Sequence, residues 1–185
     1  MTSMPPHPNN ETYHLNLMTQ LEQAKRRDRA FIVSFTDTVA KTSGTTNLHL
    51  KNPDHNTRSM QIHSMNISTQ FPGFYNVFDS FSAAPSGGTV LDPQSLLMDA
   101  TAEQTTSVME ANKNVTFSGN DYHSTEVFAT GGKNAKAGGA VDAEHPLIEP
   151  GREIVIEVTN TSVDDNDASI LVTLCECPEV YSNSL

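Results

Sequence analysis

The feature that most constrains this fold is a change of hydrophobic period at Ala30. From there to Cys177 apolar residues recur at every second position, in short runs separated by turn residues, which is the pattern of half-buried β-strands. In "AFIVSFTDTVA" Phe31, Val33 and Phe35 share one face, opposite Ser34 and Thr36. "NLHLK", "MQIHSMNIST" and "GFYNVFDSF" follow, interrupted by the turn signals "NPDHN" and "FPG". "GGTVLDP" reads as a short strand bounded by Gly and Pro, and "NVTFSGN" and "STEVFATGG" as two more. The stretch from Pro93 to Met109 leaves room for one short helix, and Asp92-Pro93 suits its start. "GGKNAKAGGAVDAEHP" reads as a Gly-rich loop.

The clearest strand pair comes last. In "REIVIEVTN" Ile154, Ile156 and Val158 alternate with Glu153, Val155 and Glu157, after a turn at "LIEPG". In "ASILVTLCEC" Ile170, Val172 and Leu174 form the more apolar face. Read together, these segments predict a closing hairpin whose strands pair centrally with early ones, so that the domain closes only when the chain ends. Roughly eight short strands without βαβ alternation, heptads or repeats predict an all-β antiparallel barrel or sandwich.

Before Ala30 the period is helical. "NETYHLNLMTQLEQAKRRDRA" places Leu17, Leu21 and Ala24 on one stripe, with Asn9 or Asn10 as N-cap. Residues 1–29 are therefore expected to be an arm with one helix, residues 30–180 the β domain and residues 181–185 a tail. Lys25, Arg26, Arg27 and Arg29 cluster at the end of the helix, where cations suit its dipole. That cluster reads either as a solvated helix end or as a contact with an anionic surface, such as lipid headgroups or an acidic neighbour.

A length of 185 residues fits one domain. The formal charge of -11, from 11 Lys and Arg against 22 Asp and Glu, argues against a direct nucleic-acid partner, which needs a positive footprint. The acids run from Glu11 to Glu179 rather than in one patch, and the apolar fraction is only 36%. Charge repulsion of this kind is cut to a range of about 3 Å at 1 M salt, so the composition suits molar salt better than dilute buffer. The opening "MTSMPPHPNN" is polar and lacks the apolar core of a signal peptide, and no run approaches the ~18 apolar residues of a membrane span. The chain reads as made and used without Sec export.

Motifs for chemistry are weak. His49, His55 and His63 are the densest histidine group, but they lack the His-x-His plus carboxylate spacing of a cupin metal site and read as neighbours on an edge or loop. "GGKNAKAGG" lacks the Lys-Ser/Thr ending of a phosphate loop. "DDND", Asp164 to Asp167, lacks EF-hand spacing and reads as a solvated turn. There is no Gly-x-Ser-x-Gly elbow and no persuasive Cys–His pair, so no catalytic, cofactor or metal residue is assigned and a non-enzyme is expected. Cys175 and Cys177 lie two apart on one strand, share a face and are poorly placed to bond each other. Either they are packed, reduced thiols, or they reach a neighbouring subunit from the outer wall and form an inter-subunit disulfide.

Following its Gly-rich loop, "LIEPGREIVIEVTNTSVDDNDASILVTLCEC" resembles the final strands of single jelly-roll viral coat proteins. With the helical arm, the acidity and the length, the chain from Ala30 to Val180 is most similar to the smaller major capsid protein of icosahedral haloarchaeal viruses with an internal membrane. That resemblance implies an upright barrel in homodimeric and heterodimeric capsomers, with itself and a second, larger major capsid protein as partners. It also implies location in the virion after assembly in the host cytoplasm. The arm would lie at the capsomer base, with Lys25, Arg26, Arg27 and Arg29 near a neighbour or the lipid membrane, and Cys175 and Cys177 as candidates for links between subunits. A β-sandwich binding module, carbohydrate-binding or a virion accessory domain, is the alternative. It would need an exposed aromatic platform, for which Phe74, Tyr75 and Phe78 are the candidates in a chain with 6% aromatic residues and no Trp.

Overall fold

The last two long strands do not pair with each other. Each instead occupies an interior position of a different sheet. The computed structural model describes residues 22, 24–25, 29–97, 105, 107–117, 123–127 and 147–178. Among these, β1 (Ala30–Val39), β3 (Arg58–Thr69), β7 (Gln94–Ser95), β11 (Leu147–Ile148) and β13 (Asn166–Pro178) form one sheet in the order β11-β3-β13-β1-β7. The other contains β2 (Thr45–Lys51), β4 (Gly73–Phe78), β6 (Thr89–Val90), β8 (Val108–Ala111), β10 (His123–Val127) and β12 (Glu153–Asn160), in the order β10-β4-β12-β2-β8-β6. A ribbon of β5 (Phe81–Ser86) and β9 (Asn114–Phe117) stands apart. Every pairing is antiparallel, and the described residues are mostly β-strand with almost no helix.

The expected closing hairpin is therefore corrected. β12 lies between β2 and β4, with Ile156 opposite both Leu48 and Val77. β13 lies between β1 and β3, with Val172 opposite Val33 and Met65. The chain crosses from one sheet to the other at Thr161–Asp165, and two buried asparagines fasten the crossing. Asn160 Nδ2 donates to the carbonyls of Val39, Ala40 and Asp164, while its Oδ1 accepts from Ser162 N. Asn166 makes a two-way bond with the backbone of Phe71, through Phe71 N to Oδ1 and Nδ2 to Phe71 O. A hairpin turn would need its carbonyls and amides for its own ladder. Here Asp164 O and Ser162 N are held by the Asn160 side chain and Ser162 O by Thr42 N, and both strands are free to pair outward.

The core lies between the sheets, where the alternating faces meet. Phe31, Val33, Leu48, Leu50, Ile156, Val158, Ile170, Val172 and Leu174 are all buried there. Burying a side chain of this size stabilises the fold by roughly 1.5–3 kcal/mol relative to leaving it in water. β3 contributes Met60 and Ile62, then Met65 and Ile67, because a β-bulge shifts its register against β13 between Thr173 and Leu174. The bulge adds one residue and restores the inward phase.

The turn "LIEPG" does aim β12. Pro150 and Gly151 take the two central positions of a turn closed by Arg152 N to Glu149 O at 3.0 Å, and Gly151 has φ 79. That positive φ at the third position is what a type II turn requires, and Pro before it is pre-set for the second. "NPDHN" also forms a turn, with Asn56 N on Pro53 O.

Two further expectations meet the coordinates. The short helix allowed after Pro93 does not begin there: Gln94 and Ser95 are a strand paired with Ile32 and Phe31, which covers the open edge of β1. Most of the proposed N-terminal helix lies outside the described residues, and of it only Glu22, Ala24 and Lys25 are seen as helical. The Gly-rich loop and the tail at residues 181–185 also lie outside them. No described helix is long and apolar enough to cross a membrane.

Candidate functional site

Period two carries Glu176 inward along with Ile170, Val172 and Leu174, and so places a carboxylate at the end of the core. Glu176 is 2% exposed. Its oxygens accept from Arg29 Nη1 at 3.4 Å, from Ser107 Oγ at 3.1 Å and, in a very short contact, from Thr105 Oγ1. Backbone bonding joins the same points, since Glu176 N donates to Arg29 O at 2.8 Å. A buried carboxylate needs such donors, and here three elements of the chain converge to supply them.

On the opposite face of the same strand end lie the thiols. Cys175 and Cys177 are both reduced, with sulfurs 3.1 Å apart. Cys175 is 2% exposed beneath Ala24 and Leu96, whereas Cys177 is half-buried, 3.8 Å from Gln61 Oε1. The pair is unequal. The hydrogen bond between Cys175 and Cys177, then burial, and the nearby charges of Cys177 and Glu176 push the Cys175 thiol up. The same bond favours the Cys177 thiolate and Arg58 adds a positive charge, so Cys177 falls below the ordinary thiol range despite its burial.

The four cations named from the sequence separate. Lys25 Nζ is 2.8 Å from Glu22 Oε1 and Arg29 is held by Glu176, so both face carboxylates of their own chain. Arg26 and Arg27 lie outside the described residues. The three clustered histidines also separate: His49 lies on β2, His55 in an exposed turn and His63 on β3 of the other sheet.

His49, read from the sequence as a neighbour on an edge or loop, lies instead on β2, interior to its sheet between β12 and β8. The buried carboxylate that the sequence reading did not single out is Glu176. Although His49 points away from the core, it is 2% exposed. Nε2 is 2.9 Å from Glu153 Oε2 and Nδ1 is 3.4 Å from Glu110 Oε2, and Lys113 Nζ reaches the same Glu110 oxygen at 2.7 Å. The outer face of this sheet is covered nearby, because Phe117 of β9 stacks on Phe78 of β4 with centroids 3.6 Å apart. Burial alone would raise the Glu110 carboxyl. Lys113 and His49 outweigh it and hold the group below the usual carboxylate value.

The remaining candidates resolve into structure. In "DDND", Asp165 Oδ1 accepts from Lys41 N and Asp167 Oδ1 from Thr38 Oγ1, so two of its carboxylates tie loops together. Of the proposed aromatic platform only Phe74 reaches solvent, at 38% exposure, while Tyr75 at 4% faces the core and Phe78 at 6% lies under Phe117. A cleft of about 440 Å³ opens where the β4–β5 turn meets the start of β12, with Arg152 among Asp79, Glu149 and Glu153 and no aromatic among the described residues of its wall. Among the described residues no group of three or more His, Cys, Asp or Glu is placed to hold a metal ion. Compared with family models and with curated protein sequences, the chain matches none.

Proposed function

We propose that this chain is a structural building block, a single jelly-roll capsid protein of a halophilic virus. It assembles into an icosahedral shell through capsomers made with itself and with a second, larger capsid protein, around an internal membrane. One observation carries the reading: the order of the eight principal strands. Taken along the chain, β1, β2, β3, β4, β10, β11, β12 and β13 give one sheet that reads sixth, third, eighth, first and another that reads fifth, fourth, seventh, second. This alternation between facing sheets supports the jelly-roll reading, since it follows the double Greek-key order of that architecture, which recurs in viral coats, lectins and cupins.

Side-chain placement favours the first of the three. A cupin enzyme needs clustered metal ligands; of the densest histidine group His49 and His63 lie on different sheets, and among the described residues no three ligating side chains come together. A sugar-binding domain needs an exposed aromatic platform, and Tyr75 and Phe78 are buried. A coat subunit needs neither. It needs a rigid body whose sheet edges do not add strands indiscriminately, and three of the four edge strands of the larger sheets, β6, β7 and β11, are two residues long, the fourth being β10. The net charge of -11 supplies the control: copies repel in dilute buffer and pack once salt screens them. In this reading the arm lies at the base of the capsomer, and it assigns the chain no reaction.

Sedimentation of the full chain in molar NaCl, repeated after desalting, tests the proposal. Discrete closed oligomers that dissociate when salt is removed are expected. A strict monomer under both conditions, alone and with other capsid chains, would overturn it.

A further inference from the structure

Three properties of the thiol pair bear on what it can do. The sulfurs are in contact at 3.1 Å with no disulfide between them. One is enclosed at 2% exposure, and the other opens to solvent. Their α-carbons, two residues apart on a strand, are separated by about 6.6 Å, at the upper end of the 4.4–6.8 Å that disulfides span. The spacing that makes an intrastrand bond unfavourable to close also makes it easy to reopen.

We propose that Cys177 and Cys175 form a thiol–disulfide exchange site, with Cys177 the attacking thiol, Cys175 the resolving thiol and a low-molecular-weight disulfide the co-substrate. The Cys177 thiolate attacks one sulfur of the small disulfide. A Cys177–sulfur bond forms, the small molecule's own disulfide bond breaks, and its other half leaves as a thiolate that takes a proton from water. Cys175 then gives up its proton to solvent and attacks the Cys177 sulfur. The Cys175–Cys177 bond forms and the second small thiolate leaves to be protonated. The chain loses two electrons and two protons, and the small disulfide gains both as two thiols. Oxidised and reduced chains interconvert according to the thiol poise of their surroundings.

The arrangement divides the two roles. Gln61 and Arg58 flank the open sulfur, and the Arg58 charge favours its anionic form. Ala24, Ala30 and Leu96 share an apolar cluster with Cys175, whose 2% exposure makes it the less accessible of the two to an external disulfide. The exchange does not depend on the assembly proposed above.

The test uses the full reduced chain in molar NaCl, treated with hydroxyethyl disulfide, quenched in acid and weighed intact by mass spectrometry. The parent is expected to lose two hydrogens per chain without accumulating a mixed disulfide. Cys175→Ser is expected to stop at a mixed disulfide on Cys177, and Cys177→Ser to react at least about tenfold more slowly than Cys175→Ser. Because the parent alone reports on closure, the test survives a variant that fails to fold. Three results would overturn the proposal: a parent that keeps its mixed disulfide, one that links chain to chain instead of within itself, or one that reacts only when denatured.

Discussion

Replacing Asn160 probes the point at which the chain passes from one sheet to the other. The side chain is fully buried, with Nδ2 at 3.2 Å from Val39 O, 3.2 Å from Ala40 O and 2.8 Å from Asp164 O. Its Oδ1 accepts from Ser162 N at 2.8 Å and from Asn166 Nδ2 at 3.3 Å. Asn160→Ala deletes these bonds and leaves several carbonyls and amides buried. Each neutral bond contributes about 0.5–1.5 kcal/mol net, and an abandoned buried partner costs about 1–3 kcal/mol. Allowing for some repair by water, the loss is about 3 kcal/mol. For a domain of this size each kcal/mol lowers Tm by roughly 2–4 °C, so the expected drop is about 6–12 °C.

Asn160→Asp sharpens the test, since shape and acceptors are kept while the donors are lost. At neutral pH it sets an anionic oxygen against three carbonyls, which raises the folded pKa of the new carboxyl above its unfolded value. A raised carboxyl costs nothing below the unfolded value of about 3.9, and its penalty grows as pH rises through and beyond it. The aspartate variant should therefore match or exceed the alanine loss at pH 7 and recover toward the parent near pH 3. Urea unfolding followed by circular dichroism at fixed salt measures both. Variants within about 0.5 kcal/mol of the parent at pH 7, the level of an ordinary surface change, would refute the reasoning.

Three further outcomes are expected. Glu176→Ala should cost about 2–4 kcal/mol in urea unfolding, because it strands Arg29 and two hydroxyls, and Glu176→Gln should cost less by keeping an acceptor. The depressed Glu110 carboxyl contributes stability that is present above the ordinary carboxylate value of about 4.3 and lost as pH falls through its lower folded value, so Lys113→Met should flatten the acid limb of a stability–pH curve. Finally, Tm should rise steadily with NaCl toward molar concentration as repulsion among the excess acids is screened, and a flat melting series would contradict the salt-adapted reading.

Much of the fold was legible because burial on a strand obeys period two. The inward faces of β1, β12 and β13 were read from Phe31, Val33, Phe35, Ile154, Ile156, Val158, Ile170, Val172 and Leu174, and all of these are buried except Phe35, which is partly buried against the core. The same rule, extended two residues, would have placed Glu176 inward and flagged a carboxylate needing partners. In β3 the spacing of Met60, Ile62, Met65 and Ile67 already carries the phase slip of the bulge. The hairpin was misjudged because a five-residue connection fits either a hairpin or a crossing between sheets. What decides is the pair of asparagines at its ends, whose burial only the assembled fold brings about. His49 was hidden for a related reason: its pattern marks an outward position, and the burial of that position depends on elements distant in sequence. Lys25 and Arg29 were read as one cluster along a helix, but their partners lie in other directions, on Glu22 and on the far strand end.

Electron cryomicroscopy of the oligomers that this chain forms in molar NaCl, alone or with a larger capsid chain, bears most directly on the proposed role. The expected density is a closed, symmetric assembly in which each copy is an upright two-sheet barrel, with β12 and β13 interior to their sheets. Particles in which the chain takes another fold, or fields holding only isolated monomers at every salt concentration, would contradict it.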